Sequence, residues 1–215
     1  MCSSDLYVAD KKLIYADQGR SDHTIVSFDD PYGRSFGAET PGVAAYFSRN
    51  PLPAGVSGAF LRDSEGRVRT PGGEARIVPR DLRVVGEHQR LNLLAAGLAL
   101  VRFGLSPEEV EAGAAEFPGI EHRIEPCGET RGVKFYNDSA ATIPEALVAA
   151  VKSFSSPVLL VTGGTDKLLD FSVFAEAASL PKGIFLLEGT ATEKIRRILD
   201  RSEERRVGKE CRSRW

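Results

Sequence analysis

The sequence predicts an α/β protein of two domains, the second built on a mainly parallel sheet with covering helices. Beyond Gly119, short β-rich runs alternate with helix-length segments, the pattern left by parallel strands that need crossover connections. The runs VLLV (Val158–Val161) and IFLL (Ile184–Leu187) are apolar throughout, as expected of strands buried on both faces. Before Gly119, several short β-rich runs lead into one strongly periodic helix, the texture of a sheet margin with a covering helix.

Lys11 and Lys12 fall in an expected helix near the start. Strands are expected at Thr24–Phe28, Gly58–Arg62, Arg67–Thr70 and Ala75–Val78, with the Asp-Pro, Asn-Pro-Leu-Pro and Pro-Gly-Gly clusters between them read as turns. Glu87–Phe103 places Leu91, Leu94, Ala95, Leu98 and Val101 on one helical face, and Gly104 ends it. Ser106-Pro107-Glu108-Glu109 opens a second helix with a capping box, and Phe117-Pro118-Gly119 stops it at the domain boundary. The second domain then reads as strand Val133–Tyr136, helix Pro144–Ser153, strand Val158–Val161, helix Phe171–Ser179, strand Ile184–Leu187 and helix Thr192–Leu199.

Composition narrows the function classes. A net charge of -2 gives no electrostatic footprint for nucleic acid. No run of eighteen apolar residues and no signal-peptide pattern occurs, so the expected site is cytoplasmic with no membrane partner. Cys2, Cys127 and Cys211 lack metal-ligand or CxxC spacing. The ends differ in character from the rest: residues 1–6 and 201–215 resemble translated sequencing-adapter DNA, the alternative for the latter being a genuine basic tail. The domains are therefore expected at 7–119 and 120–200, and without the ends the core is mildly acidic.

In parallel-sheet architectures ligands gather beyond the carboxyl ends of strands, and two polar loops lie there. Asn137-Asp138-Ser139 follows the first strand of the second domain, and Thr142-x-x-Glu145 reads as a capping box for the next helix. This is either a turn plus N-cap or an anion-binding helix start. Gly163-Gly164-Thr165-Asp166-Lys167 offers close backbone approach and a cation, or is a plain loop. His122-Arg123 is either a nucleotide contact or half of a surface ion pair with Glu121 or Glu125. His88 and Asn92 stand one helical turn apart and face a ligand or merely pack, while Lys11 alone reads as a solvated charge.

Taken in order, YVADKKLIYADQ, GEHQRLNLLAA, FPGIEHRIE, YNDSAAT and GGTDK resemble the Mur ligase family over the core from Tyr7 to Asp200. The resemblance implies the carboxyl part of a central ATPase domain followed by a truncated Rossmann-like C-terminal domain. It implies a carbamylated Lys11 that helps hold Mg²⁺, His88 and Asn92 in the adenine segment, Arg123 on ATP, and Asp138 on the ribose. Ser139, Thr142 and Lys167 would contact the incoming amino acid, Lys167 through its carboxylate. YNDSAAT resembles the NDSKAT of the D-glutamate-adding branch, which implies UDP-N-acetylmuramoyl-L-alanine and D-glutamate as substrates of a monomeric, ADP-forming ligase. Three positions depart from the pattern: Ala140 replaces the Lys of NDSKAT, Gln89 stands where Asn is usual, and Ser27 where an Asn is typical.

The implied chemistry is phosphorylation of the nucleotide-linked carboxylate by ATP, then attack by the amine of D-glutamate through a tetrahedral intermediate, catalysed by positioning and charge neutralisation. No GxxxxGK[ST] phosphate loop occurs in the 215 residues, so the chain is expected to be an inactive internal fragment. The alternatives are another Mur or folylpolyglutamate-type ligase, and a free-standing nucleotide- or amino-acid-binding module.

Overall fold

The computed structural model describes residues 3–204, with side-chain surroundings for 6–200. Cys2, Cys211, Trp215 and the expectations placed on residues 205–215 lie outside the described residues. The chain divides into two compact units, Met1–Pro118 and Gly119–Trp215.

The first unit runs α1 (Ser3–Ala16), β1 (His23–Ser27), α2 (Pro31–Glu39), β2 (Val43–Ser48), β3 (Gly58–Arg62), β4 (Glu65–Thr70), β5 (Gly73–Val78), α3 (Glu87–Phe103) and α4 (Pro107–Glu116). Its five strands form one mixed sheet in the order β1-β2-β3-β4-β5. The first three are parallel and the last three antiparallel. Asp63 and Ser64, at φ 52° and 64°, make the two-residue turn between β3 and β4, where positive φ at both centres matches the twist of the strands.

The structure adds α2 and β2, which the sequence reading passed over. Asp30-Pro31 is a helix start and not a turn: Pro31 occupies the first helical turn, and the Asp30 carboxylate accepts from Tyr32 N at 2.8 Å. The two signals share the same residues, and the weak apolar periodicity of PYGRSFGAE does not separate them.

On α3, Leu94 and Leu98 are fully buried against Ala59, Val68, Ile77 and Val78. Gly97 lets α4 close in, since a Cβ there would lie 3.0 Å from Val110 Cγ1. The expected capping box of α4 is present: Ser106 Oγ accepts from Glu109 N at 3.3 Å, and Glu109 Oε2 accepts from Ser106 N at 2.9 Å. Gly104 ends α3 in the left-handed conformation.

The second unit runs β6 (Glu125–Thr130), β7 (Val133–Asn137), α5 (Pro144–Lys152), β8 (Leu159–Gly163), α6 (Phe174–Ala177), β9 (Gly183–Leu187) and α7 (Thr192–Glu204). Here β8 and β9 pair in parallel, but β7 pairs antiparallel with β6 through a turn at Arg131 (φ 50°) and Gly132 (φ 77°). Strand β6, EPCGET, carries no apolar alternation and is almost wholly exposed, so periodicity gave no signal for it.

Two further expectations are corrected. The β8–β9 ribbon is not buried on both faces: Leu159, Val161, Phe185 and Leu187 are 60, 61, 51 and 56% exposed. Leu160, Ile184 and Leu186 on the other face pack on Phe174, Ala177, Ala191 and Ile195. The helix expected over Phe171–Ser179 shrinks to the four residues of α6, because the segment enters it through i to i+3 bonds from Phe174 N to Phe171 O and from Ala175 N to Ser172 O. Among the described residues, no helix is long and apolar enough to cross a membrane.

Candidate functional site

Lys11 lies on α1 with its side chain exposed and Nζ 5.2 Å from the Tyr7 ring centroid. Its neighbour Lys12 is the anchored one, 2.5 Å from Glu39 Oε2 on α2. The hydrogen bond from Lys12, with a second from Ser35 Oγ at 2.7 Å, holds the Glu39 carboxyl below its ordinary range, and Glu39 in turn raises Lys12. Fixing Lys12 inward leaves Lys11, 100° round the helix, facing solvent.

Among the described residues no group of three His, Cys, Asp or Glu side chains could hold a metal. A carbamylated Lys11 would give one oxygen donor, far short of the octahedron that Mg²⁺ demands. These residues therefore do not make a metal site on their own.

On α3, His88 is half-buried, Asn92 is exposed, and Gln89 between them is 6% exposed. The sequence reading missed Asp29, which joins the carboxyl ends of β1 and β2: its carboxylate accepts from Ser48 Oγ and from Arg49 N, each at 2.8 Å. Arg49 Nε then reaches Glu87 at the start of α3, 2.5 Å away. An acid directly after an apolar strand was the available signal, and the doublet Asp29-Asp30 carried it. Ser27, the departure noted above, uses Oγ to accept from Asp29 N at 3.2 Å, a local turn bond.

In the second unit, folding brings the segments of Arg123 and Asp138 together. The buried Ile124 N–H donates to Asp138 Oδ1 at 3.0 Å, and Ala140 N donates to His122 O at 3.0 Å. Asn137 Nδ2 lies 2.8 Å from His122 Nδ1, and Asn137 Oδ1 accepts from Ser139 N at 3.1 Å. His122 and Ile124 sit at φ 63° and 48°, a strained left-handed pair held in place by these bonds. Of the ion-pair alternative, the structure shows His122 N donating to Glu125 Oε2 at 2.9 Å, with the ring Nδ1 3.5 Å from the same carboxylate, an ion pair only when the imidazole is protonated. Arg123 is exposed and, among the described residues, has no ion-pair partner.

Thr142 is not the cap of α5. Pro144 takes the first helical turn, which makes Ile143 the N-cap, extended at φ -125° and ψ 150° as a residue before proline prefers, with no side-chain cap bond. Thr142 stands one residue too early to reach the N–H groups of α5 and is exposed, as is Ser139.

The GGTDK loop leaves the carboxyl end of β8 and folds against the turn after β9. Ala191 N donates to Gly164 O at 3.0 Å and Asp166 N to Thr190 Oγ1 at 2.8 Å. Gly189 is required there, because a Cβ would stand 2.3 Å from Gly164 O. The Asp166 carboxylate meets Lys194 Nζ of α7 at 2.5 Å and accepts from Leu168 N at 2.9 Å. The Lys194 hydrogen bond, first among several, pulls Asp166 below the ordinary carboxylate range. Lys167 itself is exposed.

Two shallow clefts open in this unit, the second bordered by Lys194. One of about 590 Å³ opens between Lys152, Phe154 and Lys182, and one of about 330 Å³ is lined by Phe171, Lys194 and Arg197. Neither contains a residue singled out from the sequence.

No protein-family model matches the chain. It is 36% identical over 196 residues to a protein of Symbiobacterium thermophilum and 35% identical over 203 residues to one of Roseiflexus sp. (strain RS-1), both named UDP-N-acetylmuramoylalanine--D-glutamate ligase. Each match covers 91% of this chain but 43 and 44% of the relative, so the chain spans less than half the length of these relatives. Among solved structures it resembles MurF from Acinetobacter baumannii at a TM-score of 0.63 and 18% identity, covering 94% of this chain and 50% of that one. A murein peptide ligase from Psychrobacter arcticus matches at 0.59 and 16% identity, covering 94 and 44%. Identity of about a third across nine-tenths of the sequence, carried on a fold these ligases share, places the chain in the Mur ligase family.

Proposed function

We propose that this chain is the adenosine- and amino-acid-binding portion of an ATP-dependent ligase that joins D-glutamate to UDP-N-acetylmuramoyl-L-alanine in peptidoglycan precursor synthesis. The observation that carries the reading is the loop YNDSAAT at the carboxyl end of β7, in a chain 36% identical to a ligase named for that reaction. In this reading Asn92, with His88 beside it, faces the adenine, Arg123 meets ATP and Asp138 the ribose. Ser139, Thr142 and Lys167 hold D-glutamate, and a carbamylated Lys11 gives one oxygen to Mg²⁺.

Burial and charge support this division of labour. Asp138 is tied to the backbone of Ile124, so a ribose-binding acid would be fixed beside the backbone that carries Arg123. Preorganised polar groups cost little to arrange when the ligand arrives. The exposed ammonium of Lys167 is a ready partner for a carboxylate. Thr142, free of any capping duty, has its hydroxyl available to a ligand. The reading asks these residues only to position the reactants and neutralise charge, while the phosphoryl donor supplies the chemistry.

The test is a chimera in which residues 7–200 replace the matching segment of the Symbiobacterium thermophilum relative. The expected result is ADP release that requires both UDP-N-acetylmuramoyl-L-alanine and D-glutamate. Turnover with L-lysine or diaminopimelate in place of D-glutamate, or with a folate and L-glutamate in place of both substrates, would assign a different branch and sink the proposal.

A further inference from the structure

We infer that Lys194 is a positioning residue for Lys167: by bridging to Asp166 it fixes the GGTDK loop and keeps the Asp166 carboxylate from neutralising its neighbouring lysine. The inference rests on the reading of Lys167 as the group that receives a substrate carboxylate.

Asp166 and Lys167 are adjacent in sequence, and left to themselves an acid and a base side by side offer an anion little net attraction. The structure separates them. The Asp166 side chain is 10% exposed and turned inward, where Lys194 Nζ stands 2.5 Å from Oδ2. A carboxylate so far removed from water must be paired, and the partner comes from α7 in place of the adjacent lysine. Oδ1 is used as well, accepting from Leu168 N at 2.9 Å.

The same bonds fix the backbone on both sides of Lys167. Before it, Asp166 N is held by Thr190 Oγ1 at 2.8 Å. After it, Leu168 is held at φ 61° with its side chain 89% exposed. A left-handed leucine with no burial of its own persists only where its surroundings over-determine it, and the Asp166 carboxylate is what holds its N–H. Lys194 is in turn seated by α7, whose Ile195 is 1% exposed in the core of the unit. The position of an exposed lysine thus depends on a contact 27 residues further along the chain.

The experiment uses the 215-residue chain and two readouts, amide hydrogen exchange and titration with D-glutamate followed by NMR. Lys194→Met is expected to speed exchange at Asp166 and Leu168 by about tenfold or more while Leu160 and Ile184 in the paired strands stay protected. It is also expected to weaken the D-glutamate response at Lys167 by about fivefold or more, a charge-pair effect of ordinary size. Lys194→Arg restores both, and Asp166→Asn reproduces the exchange result from the other side of the bridge. Unchanged exchange in both Lys194→Met and Asp166→Asn overturns the bridge. Faster exchange with unchanged D-glutamate affinity reduces Lys194 to a structural contact and overturns the positioning role. Absence of any D-glutamate response in the unaltered chain defeats the reading of Lys167 itself, and with it the role given to Lys194.

Discussion

The two units use similar strand sequences and bury them very differently. In the first, β3 and β5 place Ala59, Phe60, Ile77 and Val78 at zero exposure, with α3 lying across the sheet. In the second, β8 and β9 are equally apolar, yet every other side chain is open to solvent because α6 and α7 cover one face only. Apolar composition therefore reports what a strand tolerates, and the number of covering layers decides what it buries.

Core truncation should expose this contrast most strongly. Leu98→Ala is expected to destabilise the first unit by about 2–5 kcal/mol, the usual range for a fully buried leucine. Leu159→Ala, at a side chain already 60% exposed, should cost the second unit less than about 1 kcal/mol. Denaturant unfolding combined with amide exchange in β5 and β8 separates the two; equal losses would mean that β8 is covered in solution.

Glycine replacement sharpens the comparison at the level of the backbone. Gly189→Ala drives a methyl group to 2.3 Å from Gly164 O, a backbone atom that cannot yield cheaply, and should cost about 1–3 kcal/mol. Gly97→Ala meets only the Val110 and Ile77 side chains, at 3.0 and 3.3 Å, and gains about 1 kcal/mol of helix propensity, so it should come out near neutral. Thermal unfolding of the two variants reports the difference.

Helix starts differ too. Ser106→Ala removes a working capping box and should cost about 1 kcal/mol, whereas Thr142→Ala, which caps nothing, should stay within about 0.5 kcal/mol of the parent by urea titration. A smaller effect lies in pH dependence. The Asp166 carboxyl is held below its unfolded value of about 3.9, so the stability it contributes is present above that pH and is lost as pH falls through the folded value. Asp166→Asn should therefore lose less stability than the parent on acidification below about pH 4, measured by fluorescence or circular dichroism.

Much of the fold was legible because local signals and tertiary packing agreed. The 3.6-residue spacing of Leu91, Leu94 and Leu98 placed α3, and Ser106 with Glu109 placed α4 and its cap. The failures occurred where one signal carried two meanings. Asp30-Pro31 serves equally as turn or helix start, and Thr142-x-x-Glu145 looks like a cap until Pro144 moves the helix start one residue on. Strand β6 was illegible for another reason: an exposed hairpin arm needs no apolar period, since its register comes from the Arg131-Gly132 turn. The candidate residues themselves were found through motif order, but Asp29 and Lys194 were not, because their roles arise from partners 19 to 28 residues away.

In the proposed function the GGTDK lysine receives the substrate carboxylate, and with Ala140 in place of the second cation of NDSKAT, Lys167 carries more of that charge neutralisation. In the ligase chimera carrying residues 7–200, Lys167→Ala should raise the KM for D-glutamate by about 10- to 100-fold, the worth of one charge-assisted hydrogen bond, with the KM for ATP little changed. An unchanged KM for D-glutamate would contradict the assignment of Lys167.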